Sequence, residues 1–300
     1  MIHRYPPGWP VRAWDQDDAA RDYAYLPGAS VRDYRDYLRT YEERSAAARA
    51  TLPWHAYSYG PDPAEVLHFF PGSRPGSPLH VFVHGGYWQE LSEAESSFAA
   101  LDLIPRGAAF AALGYGLAPR HTLTEIVGMV RRGVLWLYQN AETLGFSPDG
   151  MFLSGHSAGA HLVAMCLMDG WLPAPIHPVD VVRGAMLLSG LYELTPLCGT
   201  SIGEAIGLSL TEAVELSPVR YLPDRLPPLV VARGGDESAA FADQQDYLTG
   251  QVRRQGAQAD DLVVPGRHHF DLLLGLGDPG DPLGHAQLTQ MGLLPTADLA

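Results

Sequence analysis

Cysteine is nearly absent: the 300 residues hold two, Cys166 and Cys198. Neither belongs to a CxxC or Cys/His cluster, so no zinc or other metal site is expected. Their surroundings, HLVAMCLM and LTPLCGT, read as those of free thiols in apolar packing. Basic residues are scarce too, with 20 Lys and Arg against 34 Asp and Glu and a net charge of −14. So acidic a chain repels nucleic-acid phosphates and anionic lipid headgroups. The acidity itself reads as solubility. No run approaches the roughly 20 apolar residues that span a bilayer. The opening MIHRYPPGWPVRAWDQ lacks the apolar stretch of a signal peptide. The expectation is a cytoplasmic protein that takes a small-molecule substrate, with no nucleic-acid or membrane partner and with a homodimer left open.

What the chain does have is apolar material, 46% of its residues, and many turn formers, with 32 Gly and 25 Pro. No internal repeat or long linker divides it. Residues 1–50 read as an N-terminal arm and a helix packed on the domain. Tyr34, Tyr37, Leu38 and Tyr41 form one stripe of that helix, read as packing in preference to ligand contact. Residues 51–300 read as one domain. Apolar strands are expected at 64–70, 79–85, 108–116, 151–155, 182–190, 227–235 and 260–266. Helices are expected at 122–145, 158–170 and 239–256. Strands alternating with helices predict a mostly parallel central sheet with helices on both faces. The strands are apolar throughout, as a sheet covered twice requires. Residues 191–226 interrupt the alternation and read as a small insertion, either a roof over a pocket or a surface excursion.

Gly155-His156-Ser157-Ala158-Gly159 fits G-x-S-x-G, between the strand MFLS and the helix AGAHLVAMCLM. That context marks a sharp strand-to-helix turn that projects a nucleophilic serine, and an α/β-hydrolase fold. A serine hydroxyl needs a base, and in this fold the order is Ser, acid, His. The base is sought after the last strand, in Arg267-His268-His269-Phe270-Asp271. His269 is chosen because it joins the Phe-Asp that opens the final apolar segment, and His268 is its rival. The acid is sought in Gly234-Gly235-Asp236-Glu237-Ser238. Glu237 stands three residues after the glycine that ends the strand, and Asp236 remains the competitor. His161, one helical turn after Ser157, reads as a packing residue.

A second glycine pair stands in HGGYW (84–88). Glycines there let backbone N–H groups turn toward a developing oxyanion. Gly85 and Gly86 are the expected donors, with Tyr87 a further candidate, and Ala158, after the nucleophile, supplies another. His84 is expected to fix the loop. Tyr87 and Trp88 are expected either to line the substrate site or to pack. Arg120, His121 and Arg233 are candidate anion contacts, with surface pairing the alternative.

HGGYW, GHSAGAHL (155–162) and the late HFD (269–271) together resemble the kynurenine formamidase (arylformamidase) family over roughly residues 60–275. YGLAP (115–119), LLSGLYEL (187–194) and GGDESAAFADQQ (234–245) add to the likeness. Family members carry an acid followed by Ser, then Phe and Gln at similar offsets, which again favours Glu237. Glutamate departs from the aspartate of the animal members. The resemblance implies hydrolysis of N-formyl-L-kynurenine to L-kynurenine and formate through an acyl-serine, with Ser157, Glu237 and His269 catalytic and with no cofactor. HGGxW separates this group from the HGGG of lipases but not fully from members that cleave simple esters. A carboxylesterase for short-chain or aryl esters is therefore the alternative. A non-catalytic binding module would be expected to lack a triad member, and here all three positions are filled.

Overall fold

The structure is a computed structural model that describes residues 5–12 and 17–294. Part of the expected N-terminal arm, residues 1–4 and 13–16, lies outside the described residues. Eight strands form one sheet: β1 (His55–Ser58), β2 (Val66–Phe70), β3 (Ser77–Val83), β4 (Ala109–Leu113), β5 (Phe146–His156), β6 (Gly184–Leu188), β7 (Leu229–Gly234) and β8 (Ala259–Val264). Their order is β1-β2-β4-β3-β5-β6-β7-β8. β1 and β2 join antiparallel, and all pairs from β4 to β8 are parallel. The mostly parallel sheet expected from the sequence is present, with β1 as an addition. That four-residue edge strand is largely exposed, so it has no apolar pattern to betray it.

Successive side chains of a strand leave opposite faces, and both faces are covered. In β3, Leu79, Val81 and Val83 enter a cluster with Ile126, Val130 and Leu162. Phe82 points the other way, to Phe70, Phe98 and Phe110. Helices Leu123–Gln139, Ala158–Cys166 and Ala239–Arg254 cover the first face, and Arg35–Thr51 and Pro282–Gln290 the second. The single helix expected over 122–145 is two, because Asn140 closes Leu123–Gln139 before Ala141–Leu144 begins. Thr122 starts it with a capping box, accepting from the Glu125 N–H while Glu125 accepts from its own; such a cap stabilises by about 1 kcal/mol.

Register sets the site. Val83 of β3 pairs with Gly155 of β5, and Gly155 pairs with Leu187 of β6. The chain therefore leaves β3, β5 and β6 at one level, and the loops that follow all emerge along one edge. In open parallel sheets, ligands collect at that carboxyl edge.

Candidate active site

Ser157 sits between β5 and helix Ala158–Cys166 with φ 54 and ψ −120. Such a conformation costs about 1–3 kcal/mol. Its backbone N–H is held by the Leu188 carbonyl at 2.8 Å. The flanking glycines are needed for space. A Cβ on Gly155 would fall 2.2 Å from the Gly159 carbonyl oxygen, and one on Gly159 2.1 Å from that of Val83. The turn is thus clamped between its own helix and the end of β3.

Glu237 and His269 come together on the neighbouring loops. Nδ1 of His269 lies 2.8 Å from Oε2 of Glu237, with both side chains buried. A carboxylate can only accept, so Nδ1 carries the proton and Nε2 is left as the basic nitrogen. Oε1 of Glu237 accepts from the Ser189 hydroxyl at 2.6 Å and the Gly234 N–H at 2.7 Å. Asp236 is exposed, and its backbone N–H bonds to the Arg267 carbonyl. His268 stacks edge-on against Tyr37, and its Nδ1 accepts from the Phe270 N–H at 3.1 Å. Neither competitor joins the pair.

Ser157 and His269 line one cavity of about 180 Å³, together with Gly85, Gly86 and Tyr87. Among the described residues no hydrogen bond joins Ser157 to His269; contacts of this kind commonly tighten only when substrate is bound. A Cβ on Gly85 would lie 2.9 Å from the His156 carbonyl oxygen and 3.2 Å from Ser157 Cβ, so the loop touches the elbow. Gly86 has φ 90. Among the described residues neither glycine donates its N–H to a backbone acceptor. Ala158 is the first residue of its helix, where N–H groups have no partner within the helix. Gly85 and Gly86 share the cavity wall with Ser157, and Ala158 is its neighbour in the chain.

The aromatics of HGGYW part company. Gly86, Tyr87 and Trp88 all have positive φ, at 90, 48 and 60. Tyr87 lines the cavity, and its hydroxyl donates to the Tyr25 carbonyl. Trp88 corrects the expectation of substrate contact. It is fully buried in the core, edge-on to His161 at 5.3 Å, and its carbonyl accepts from the Ala118 N–H at 2.8 Å. It anchors the strained loop, and truncating such a side chain costs about 3–5 kcal/mol.

His84 fixes the loop as expected. Its Nδ1–H donates to the Gly85 carbonyl at 3.0 Å, and its ring stacks on Tyr115 at 4.0 Å. Burial lowers its pKa to about 4. His156 donates Nε2–H to the His269 carbonyl at 2.9 Å, and burial, then the nearby His269, hold its pKa well below the usual histidine value. Both rings are neutral supports. His161 donates to the Leu216 carbonyl at 2.8 Å.

Several wall residues escaped the sequence. Tyr34, Leu38 and Tyr41, read there as packing, line the cavity, and the Tyr41 hydroxyl donates to the Phe270 carbonyl. Leu26, Pro27 and Gly28 close it from the N-terminal side, while no residue of 191–226 contributes to the wall. The roof is the N-terminal segment and not the insertion. Ser189, with φ 50, was also missed. Arg120, His121 and Arg233 lie away from this cavity, and His121 faces Asp62 at 3.6 Å. Among the described residues no disulfide joins Cys166, which is buried, to Cys198, which is half-buried. Among the described residues no helix is long and apolar enough to cross a membrane.

A parallel sheet with a strained serine elbow at its carboxyl edge is the architecture of an α/β hydrolase. A solved structure from a Silicibacter species, described as a candidate thioesterase, superposes with a TM-score of 0.76 at 29% identity, covering 87% of this chain and 96% of that one. A family profile described as BD-FAE matches residues 69–171. Kynurenine formamidase of Danio rerio is 31% identical over 269 residues, 87% of this chain and 89% of that protein. Kynurenine formamidase of Salmo salar is 34% identical over 221 residues, 72% of this chain and 73% of that protein. The chain belongs to the kynurenine formamidase family.

Proposed function

We propose that this chain hydrolyses the formamide of N-formyl-L-kynurenine, giving L-kynurenine and formate, as a serine hydrolase with Ser157, Glu237 and His269 as its triad. The observation that carries this reading is the 2.8 Å contact of Glu237 with His269, whose ring lines the same cavity as Ser157, in a chain of this family. His269 Nε2 takes the Ser157 proton as Oγ bonds to the formyl carbon. The carbonyl oxygen becomes an oxyanion, met by the N–H groups of Gly85, Gly86 and Ala158; one such donor is worth roughly 10²–10³ in rate. His269 then passes its proton to the aryl nitrogen, the C–N bond breaks, and the arylamine leaves. Water, deprotonated by His269, attacks the formyl-serine, and formate departs with Ser157 restored. Glu237 holds the productive tautomer throughout. We place this chemistry in the cytoplasm, which suits a chain with no disulfide among its described residues.

Ester cleavage with the same triad is the second reading. It is favoured by an Arabidopsis thaliana isoprenylcysteine alpha-carbonyl methylesterase that is 27% identical over 72% of this chain. The test is steady-state hydrolysis of N-formyl-L-kynurenine beside p-nitrophenyl acetate, by the protein and its Ser157→Ala variant. The formamide is expected to show the higher kcat/KM, with a loss of roughly 10⁴–10⁶ in the variant. Turnover of the ester alone would move the chain to the esterases. Undiminished activity in the variant would remove Ser157 from the mechanism.

A further inference from the structure

We propose that Glu90 and Arg35 grip the zwitterionic amino-acid head of the leaving group, Glu90 taking its ammonium and Arg35 its carboxylate. This rests on the formamidase reading and adds a substrate-selecting pair to it.

The cavity wall has one carboxylate side chain, Glu90, and no lysine or arginine among its described residues. The rest is mainly aromatic and aliphatic, including Tyr34, Tyr41 and Phe98, which suits an aryl ketone. Glu90 is built onto the oxyanion loop. Its N–H bonds to the Gly86 carbonyl at 3.2 Å, and its Cγ lies 2.8 Å from where a Cβ on Gly86 would stand. Glu90 thus brings a carboxylate to the part of the wall that Gly86 also forms.

Arg35 follows the cavity residue Tyr34 in the chain. Its guanidinium lies over the ring of the cavity residue Tyr34, 5.4 Å from the centroid. Its ion contact with Asp33 is long, at 4.0 Å, and its side chain is 72% exposed. Burial raises the pKa of Glu90 and the charge of Arg35 opposes that rise, so the two groups feel one another. Yet no ion pair within 4.0 Å joins them among the described residues. A carboxylate on the cavity wall and a guanidinium stacked on another wall residue, Tyr34, supply one charge of each sign for a zwitterion, whose ammonium and carboxylate sit on one carbon. Asp33 and Asp36 are the other acidic groups on the Arg35 side, and Asp36 is paired with Arg39. That leaves Glu90 as the acid that faces the cavity.

The experiment compares kcat/KM for N-formyl-L-kynurenine and for 2-formamidoacetophenone, which keeps the aryl formamide and ketone but has no amino-acid head. Both are measured for the full chain and for Glu90→Gln and Arg35→Gln. The unaltered chain is expected to prefer the amino acid, and each variant to lower that preference about tenfold, chiefly through KM. A preference ratio unchanged in both variants overturns the clamp while the formamidase reading stands. An unaltered chain that cleaves neither formamide but does cleave p-nitrophenyl acetate overturns the formamidase reading, and the clamp with it.

Discussion

Glu237 is held at both oxygens: one faces Nδ1 of His269 at 2.8 Å, and the other takes hydrogen bonds from Ser189 at 2.6 Å and from the Gly234 N–H at 2.7 Å. A carboxylate so fixed orients the imidazole as well as balancing its charge. Glu237→Gln keeps the shape but can present an amide N–H to the ring and favour the wrong tautomer. It is expected to lower kcat by about 10³–10⁴. Asp236→Asn, on the exposed neighbour, should stay within about twofold. Steady-state rates of the two variants decide between the acids, and a larger loss at Asp236 would reverse the assignment. Ser189→Ala should cost an intermediate loss of roughly tenfold, since it removes one hydrogen bond to a charged acceptor.

The strained serine turn was legible in the sequence because everything that defines it is local: a short apolar strand, two glycines and an apolar helix within one stretch. Glu237 was legible through its offset from Gly234. Which of its two expected roles Trp88 takes was not legible, because three successive left-handed residues decide which way an aromatic leaves a loop, and no periodicity encodes that. Tyr34, Leu38 and Tyr41 were read correctly as one helical stripe, but the stripe does not say that the face it meets borders Ser157. The same holds for Leu26 and Pro27, whose place over the site depends on contacts such as Ser238 Oγ to the Ala24 carbonyl at 2.7 Å, made more than two hundred residues along the chain. Ser189 gave no signal beyond the glycine after it.

The elbow's glycines make a prediction about stability. Gly159→Ala would put a methyl group 2.1 Å from the Val83 carbonyl oxygen and 2.4 Å from that of His84, both backbone atoms. The sheet and helix must separate to admit it, at a cost of about 3 kcal/mol or more. Gly128→Ala, in helix Leu123–Gln139, meets nothing nearer than the Arg132 guanidinium at 3.5 Å. It should stabilise by about 0.5–1 kcal/mol through helix propensity. Urea unfolding of both variants checks the pair, and equal effects of one sign would refute the steric account.

Acid should unfold this protein through its buried histidines. Burial lowers the pKa of His80 to about 3 and those of His68, His84 and His161 to about 4, and holds His156 well below its usual value. In the unfolded chain each returns to about 6.5. Between about pH 6.5 and 4 the unfolded state therefore binds protons that the native state refuses. Stability is full above that window and falls as pH drops through it, by up to about 1.4 kcal/mol per pH unit for each histidine. Glu90, Glu93 and Asp246 are raised by burial and act in the opposite sense. The five histidines are expected to set the sign. Urea midpoints at about pH 7 and about pH 5 give the comparison, and equal stability at the two would show that these rings accept protons within the fold.

The segment that follows Ser189 is tied down by a buried ion pair. Glu193 is fully buried and takes Nε of Arg220 at 2.7 Å and a second guanidinium nitrogen at 2.9 Å. Gln244 joins the network to helix Ala239–Arg254, accepting from the N–H groups of Tyr192 and Glu193 at 2.8 and 2.9 Å. The pair's net worth is small, because taking both charges out of water offsets most of their attraction. Removing one partner is another matter. Arg220→Met leaves Glu193 in the interior without its cation and should cost about 3–5 kcal/mol. Replacing both, as Glu193→Gln with Arg220→Met, should recover part of that loss, since no charge is then stranded. Neither residue lines the Ser157 cavity, so kcat of the folded fraction should hold. Urea unfolding of the single and double variants measures the coupling. A double variant less stable than the Arg220→Met single would mean that Glu193 is not stranded without its cation, being held by its bonds from the Thr195 N–H and hydroxyl.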